Sequence, residues 1–293
     1  MSVATPSAPL PVEPTYRWRR LRAALVRAGK YALLAVLAVV FLMPVYVLIV
    51  TSFKGLGEID PSHAWNLPSG WTFDAWRDAY DQLSPNLANS FKLVIPATVI
   101  SVVLGSLNGF VFAKWRFPGS DVVFTLFLFG MFIPYQAVMI PLTQLYQSVD
   151  FPTGIPRLAF AHIVYGIPIT TLIFRSYYAT IPDELMEAAR IDRAGMLRTY
   201  WSVVLPLSAP AFVVAAIWQF TSIWNDFLFA VFLITNPADW PVTVALNNTT
   251  GSLVTPFNLQ MSAALLASLP TLVVYILLGR YFMRGLMAGA LKG

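Results

Sequence analysis

Two groups of residues in this chain combine suitable side chains with suitable spacing, and neither has the makeup of a catalytic centre. The first is the run Glu184 to Gly195, ELMEAARIDRAG, which holds Glu184, Glu187, Arg190, Asp192 and Arg193 in a chain only 11% charged. A short helix of that kind can lie solvated on the membrane or dock onto another protein. In the second, Trp218, Ser222, Asn225 and Phe229 recur at helical spacing with Gln219 and Asp226 alongside. Polyhydroxylated ligands need hydrogen-bond partners for their hydroxyls and flat aromatic faces for their C–H surfaces, and this stripe carries both. His162 and Tyr165 are lesser candidates, because a lone histidine among apolar residues is more often a packing residue.

Several chemistries are excluded at once. No G-x-x-x-x-G-K-[ST] pattern cradles a phosphate, and the two histidines, His63 and His162, form no H-E-x-x-H zinc pattern. With no cysteine, disulfides, thiolate metal sites and cysteine nucleophiles are absent together. Asp226 alone is too little for an intramembrane catalyst, so the chain itself is expected to hold no cofactor.

The elements that must position these residues follow from composition. The chain has 293 residues, 57% of them hydrophobic, and a mean hydropathy of +0.66. A bilayer core about 30 Å thick takes roughly 20 apolar helical residues per crossing. Five uncharged runs approach or reach that length: Tyr31 to Val50, Leu93 to Ala113, Val122 to Leu142, Leu158 to Phe174 and Leu259 to Gly279. A sixth, Ala209 to Ile234, carries one acid, Asp226. The fold class expected is an all-α membrane protein with six transmembrane helices. Pro44, Pro96, Pro134, Pro141, Pro168 and Pro270 lie within the runs, where neighbouring helices can satisfy the freed carbonyls.

Residues 1–15, rich in proline, read as a flexible tail, and 16–293 as one transmembrane domain. Fifteen of the nineteen Lys and Arg residues fall on the side that holds both ends and the charged run. That bias places both termini in the cytoplasm. It also accounts for the net charge of +5, so no nucleic-acid partner is expected. The outer loop from Phe53 to Asn89 is expected to carry short helices at the membrane surface, and the outer loop from Thr235 to Asn258 is long enough to reach an external partner.

Locally, Thr180 and Asp183 fit a capping box for a helix from about Ile181 to Asp192. Leu185, Ala188, Ala189 and Asp192 would form a small, weakly apolar face on it, and Glu187 and Arg190, three apart, can pair. On these residues alone the loop is equally a solvated surface helix or a docking element. The polar stripe is equally a ligand path or a set of helix-to-helix hydrogen bonds.

A resemblance separates the readings. Glu187-Ala188-Ala189, followed at the right distance by Val203-x-Leu205-Pro206, resembles the EAA loop of ABC-importer permeases, E-A-A-x3-G-x9-I-x-L-P. FIPYQAVMIPL (132–142), IPDELMEAARID (181–192), IWNDFLFAVFLI (223–234) and the final GLMAGALKG are similar to the smaller permease of oligosaccharide and sugar importers, and the likeness runs from about Tyr31 to Gly293. The resemblance implies a six-helix subunit of the bacterial inner membrane, surrounded by lipid and paired with a homologous second permease. It further implies separate ATPase subunits that bind ATP and Mg, an external solute-binding protein, and a sugar or related polyol as cargo. The coupling loop, about 180–204 between spans four and five, would dock the ATPase through Glu184, Glu187, Ala188, Ala189, Asp192, Arg193 and Gly195. A stand-alone secondary transporter or channel is the alternative, but it would want several intramembrane charges where only Asp226 stands. One departure is plain: Arg193 occupies the family's glycine slot, and Gly195 is expected to take over the turn.

Overall fold

The computed structural model describes residues 14–250 and 256–290, and among them the regular structure is helical throughout. Residues 1–13 of the expected tail lie outside the described residues. The first helix, α1, already runs from Pro14 to Ser52, so Pro14 and Thr15 belong to it. α2 spans Asp74–Lys114, α3 Ser120–Phe129, α4 Tyr135–Ser148 and α5 Ile155–Tyr178. The charged run forms α6, Glu184–Ile191, followed by α7, Met196–Thr199. A π-helical turn, Tyr200–Val204, and α8, Leu205–Leu207, lead into α9, Ala209–Trp224. α10 is Leu228–Leu233, α11 Val242–Thr250 and α12 Phe257–Ala290.

Four of these helices are long and apolar enough to cross a bilayer, and two bent pairs bring the spans to six. Prolines stand at both bends. Between Ser120–Phe132 and Tyr135–Ser148 the chain turns by 96°, and Pro134 sits at the break, where it contributes no N–H to a continuing helix. Between Met196–Leu207 and Ala209–Trp224 it turns by 82° at Ser208, flanked by Pro206 and Pro210. The run Ala209 to Ile234 is not one helix either, since α9 ends at Trp224 and α10 begins only at Leu228.

Close backbone approach organises the centre. A Cβ on Gly105 would lie 2.1 Å from Thr170 Oγ1, and one on Gly109 would lie 2.6 Å from Phe174 Cβ. This small-xxx-small spacing lets α2 and α5 touch along their length, as helices do in lipid where packing rather than water exclusion drives association. One apolar cluster gathers Leu93, Leu158, Trp224 and Phe229, and a second gathers Phe110, Phe174, Tyr178, Tyr200 and Met186 at the charged-loop end. α1 rests on α12, and its apolar side chains, such as Phe41 at 77% exposure, are left to the bilayer.

The outer loops are more structured than expected. α2 starts at Asp74, some 19 residues before its apolar run, which adds about 28 Å of helix at 1.5 Å per residue. The Thr235–Asn258 loop folds back onto it: Asn86 Nδ2 donates to Trp240 O at 2.8 Å, Asn89 Nδ2 to Ala238 O at 2.7 Å, and Val242 N to Ser90 Oγ at 2.8 Å.

Candidate functional site: a charged loop and a polar cavity

α6 is shorter than the expected Ile181–Asp192, and the capping box does not form. Asp183 holds the N-cap position with helical backbone angles and gives no side-chain cap. Its carboxylate accepts from Lys114 Nζ at 2.5 Å, while Thr180 Oγ1 turns back to Tyr177 O at 2.7 Å. The Lys114 ammonium holds the Asp183 carboxyl below its ordinary value, chiefly through that hydrogen bond.

The two-turn helix is rooted by Met186 and Ala189, which are buried. This corrects the expectation for Ala189: it faces the protein's own interior, so it cannot offer close approach to a partner. Glu184, Leu185, Glu187, Ala188 and Asp192 remain outside, and Ile191 is 81% exposed. The Glu187–Arg190 pair is also absent, because the Arg190 guanidinium lies over the Trp115 ring, 5.9 Å from its centroid.

Arg193 has φ +52°, the left-handed region that disfavours side chains. Arg193 N donates to Arg190 O at 3.0 Å and Ala194 N to Ala189 O at 2.9 Å, the paired bonds of a Schellman motif whose left-handed residue is Arg193. Gly195 does not take over the turn. Its φ of −71° and ψ of 169° are extended backbone open to any residue, and it precedes α7 as N-cap. The carbonyl-to-amide geometry forces the chain left-handed one residue after the cap, whatever side chain stands there.

Of the second group, Gln219, Ser222, Asn225, Asp226 and Phe229 line a cavity of about 480 Å³ with Tyr135, His162 and Tyr165. Trp218 does not. It is 50% exposed and takes no part in the cavity lining. The expected unbroken stripe is interrupted because α9 ends at Trp224, with Asn225 as its C-cap, whose Nδ2 donates to Thr221 O at 2.9 Å. Asp226 then restarts the helix, its carboxylate accepting from Phe229 N at 3.4 Å and Ala230 N at 3.2 Å. Asp226 Oδ2 also faces His162 Nε2 at 3.4 Å, so the histidine supplies the counterpart of the one acid at this depth.

Two of the lining groups are already committed within the chain. Gln219 Nε2 donates to His162 O at 3.2 Å and reaches Ser101 Oγ at 3.4 Å, in the space left by Gly166. Phe229 is only 4% exposed, with its ring packed by Tyr135 and Tyr165 at 5.2 Å and His162 at 5.6 Å. Asn225 and Asp226 are engaged as well, through Thr221 O, the amides of α10 and His162, while Ser222, Tyr135 and Tyr165 complete the polar lining. Among the described residues no cluster of three or more His, Asp or Glu could hold a metal.

Sequence reasoning missed Lys114 and the buried hydroxyl group of Ser106, Tyr178 and Tyr200. Ser106 Oγ lies 2.6 Å from Tyr178 Oη and 2.8 Å from Tyr200 Oη. Serine in an apolar helix run was the one available signal, and its partners are 72 and 94 residues away.

Residues 101–287 match the family described as binding-protein-dependent transport system inner membrane component, a stretch that includes the whole charged loop and most of the cavity. Across 90% of its length the chain is 44% identical to a probable ABC transporter permease protein of Pyrococcus horikoshii, covering 96% of that protein. It is 37% identical to the xylose/arabinose import permease protein of Haloferax volcanii, over 90% of this chain and 93% of that one. It is 31% identical to the glucose import system permease protein of Saccharolobus solfataricus, over 92% and 96%. In fold, 95% of the chain matches the whole of one chain from the crystal structure of a bacterial ABC transporter involved in the import of the acidic polysaccharide alginate, with TM-score 0.74 at 22% identity. Six helical spans, the charged loop between spans four and five and the matched family together decide the assignment: the chain belongs to the inner membrane components of binding-protein-dependent transport systems, the permease subunits of ABC importers.

Proposed function

We infer that this permease carries a sugar or related polyol, received from an external solute-binding protein, and that separate ATPase subunits drive it by gripping α6. The carrying observation is the two-sided character of α6. Met186 and Ala189 root it in the bundle, while Glu184, Leu185, Glu187, Ala188 and an Ile191 at 81% exposure face outward as a mixed acidic and apolar surface open to a partner. Both termini and α6 then lie in the cytoplasm, with a second permease closing the cavity from the opposite side. Family membership displaces the stand-alone transporter. ATP and Mg belong to the ATPase.

For the cargo, the cavity lining supports a hydroxylated ligand: Ser222 and the remaining donor and acceptor capacity of Asn225 and Asp226 offer hydrogen bonds, and Tyr135 and Tyr165 offer ring faces. The sugar-import names of the relatives from Haloferax and Saccharolobus support the same class. Closure of the ATPases on ATP would displace α6 and turn the cavity from inward-facing to outward-facing. Glu187→Lys tests the docking. The variant is expected to purify folded in the membrane but without ATPase subunits, and normal co-purification with normal sugar uptake would defeat the reading.

A further inference from the structure

The charged loop is joined to α2, an element it does not adjoin in the chain. Lys114, in the last turn of α2, has a side chain only 6% exposed, and its ammonium donates to Ile181 O at 2.6 Å and Asp183 Oδ1 at 2.5 Å. Those two acceptors lie immediately before α6. About two turns back along α2, Ser106 is fully buried and holds Tyr178 at the end of α5 and Tyr200 in the arm after α7. α2 therefore grips both arms of the loop, and the sharp bend at Ser208 lies beyond the second grip.

We propose that Lys114 is the positioning residue that makes displacement of α6 move α2, and through α2 the cavity wall. It rests on the ATPase-docking reading above. The route onward runs through α2, which supplies Ser101, whose Oγ meets Gln219 Nε2 at 3.4 Å and whose carbonyl accepts from Thr170 Oγ1 of α5 at 3.0 Å. Gln219 in turn holds His162 O at 3.2 Å. A covalent link alone would let α6 pivot about the segment 179–183, because α6 buries only Met186 and Ala189 and otherwise touches the bundle through the stacking of Arg190 on Trp115. The ammonium removes that freedom. Its bonds are charge-assisted, the strong class of hydrogen bond, and a lysine buried to this extent is costly unless its donors are used. Losing them should weaken the grip by at least about tenfold in equilibrium terms.

The chain has no cysteine, so a single Ser222→Cys change provides a reporter in the cavity. The intact importer, tagged on this chain and reconstituted in nanodiscs of Escherichia coli polar lipid, is labelled with a fluorescent maleimide with and without MgATP and orthovanadate. The expected result is a nucleotide-dependent change in labelling rate in the parent, reduced to a ratio near one in Lys114→Met. That variant should still co-purify with its ATPase and hydrolyse ATP, and Lys114→Arg, which keeps a donor at both acceptors, should restore the ratio. A parent-like ratio in Lys114→Met overturns the proposal. So does loss of the ATPase from that variant, which would make Lys114 a docking residue, or failure of the arginine to rescue. A parent that carries no ATPase at all defeats the docking reading itself, a result distinct from these.

Discussion

Arg193→Gly isolates the backbone of the charged loop from its side-chain chemistry. At φ +52° an L-residue is disfavoured by about 1–2 kcal/mol relative to the right-handed region, and glycine escapes that cost. Glycine also loses more freedom on ordering, by about 0.5–1 kcal/mol. The difference leaves a net stabilisation of about 0.5–1 kcal/mol, a two- to fivefold drop in the population whose helix end is unravelled. The reporters are the amides of Arg193 and Ala194, which close the motif onto Arg190 O at 3.0 Å and Ala189 O at 2.9 Å. Hydrogen–deuterium exchange of the peptide spanning 190–196, measured on the permease in nanodiscs, should slow by that factor. Gly195→Ala is the control: with φ −71° and no atom within 4 Å of an added Cβ, it should leave the same amides unchanged. Unaltered or faster exchange in Arg193→Gly, or equal slowing in Gly195→Ala, would refute the assignment of the turn to Arg193.

Gly109→Ala should lower stability by about 1–3 kcal/mol, since the new Cβ would meet Phe174 Cβ at 2.6 Å and Arg175 N at 2.8 Å and force α2 from α5; a lower thermal midpoint in detergent is the readout. Asp226→Ala removes the acceptor for the first amides of α10, a loss of about 0.5–2 kcal/mol, and should speed hydrogen exchange at Phe229 and Ala230 while exchange at α6 stays as it was. Asn225→Leu should reduce uptake of the sugar carried by the co-purifying solute-binding protein and leave subunit stoichiometry intact; unchanged uptake over a range of concentrations would give Asn225 a packing role.

How far the fold was legible depended on the range of the forces involved. Apolar runs such as Tyr31 to Val50 announce spans because membrane insertion depends on the local sum of hydrophobicity. The glycine slot at Arg193 was visible only through the family resemblance, and the turn was expected at Gly195, whereas the left-handed residue is Arg193 because the helix ends at Ile191. The breaks were harder. Pro134 and Asn225 sit inside apolar runs, and proline within a membrane helix is compatible with continuity or with a sharp bend. Ala189 looked equivalent to Ala188 in a sequence pattern, yet one faces inward and the other outward, because two turns of helix carry too few apolar residues to define a face unaided.

By itself the sequence determined the six apolar runs, the lack of a G-x-x-x-x-G-K-[ST] pattern and the spacing of the charged loop. Each is a property of composition or of residues close in the chain. Only the tertiary structure decided that Lys114 ties down the segment before α6, that Ser106 joins Tyr178 to Tyr200, and that Asp226 meets His162 while capping α10. Those contacts join residues far apart in the chain. They exist because buried donors and acceptors in a bilayer must find one another in the folded bundle, and no local pattern records which partner each will find.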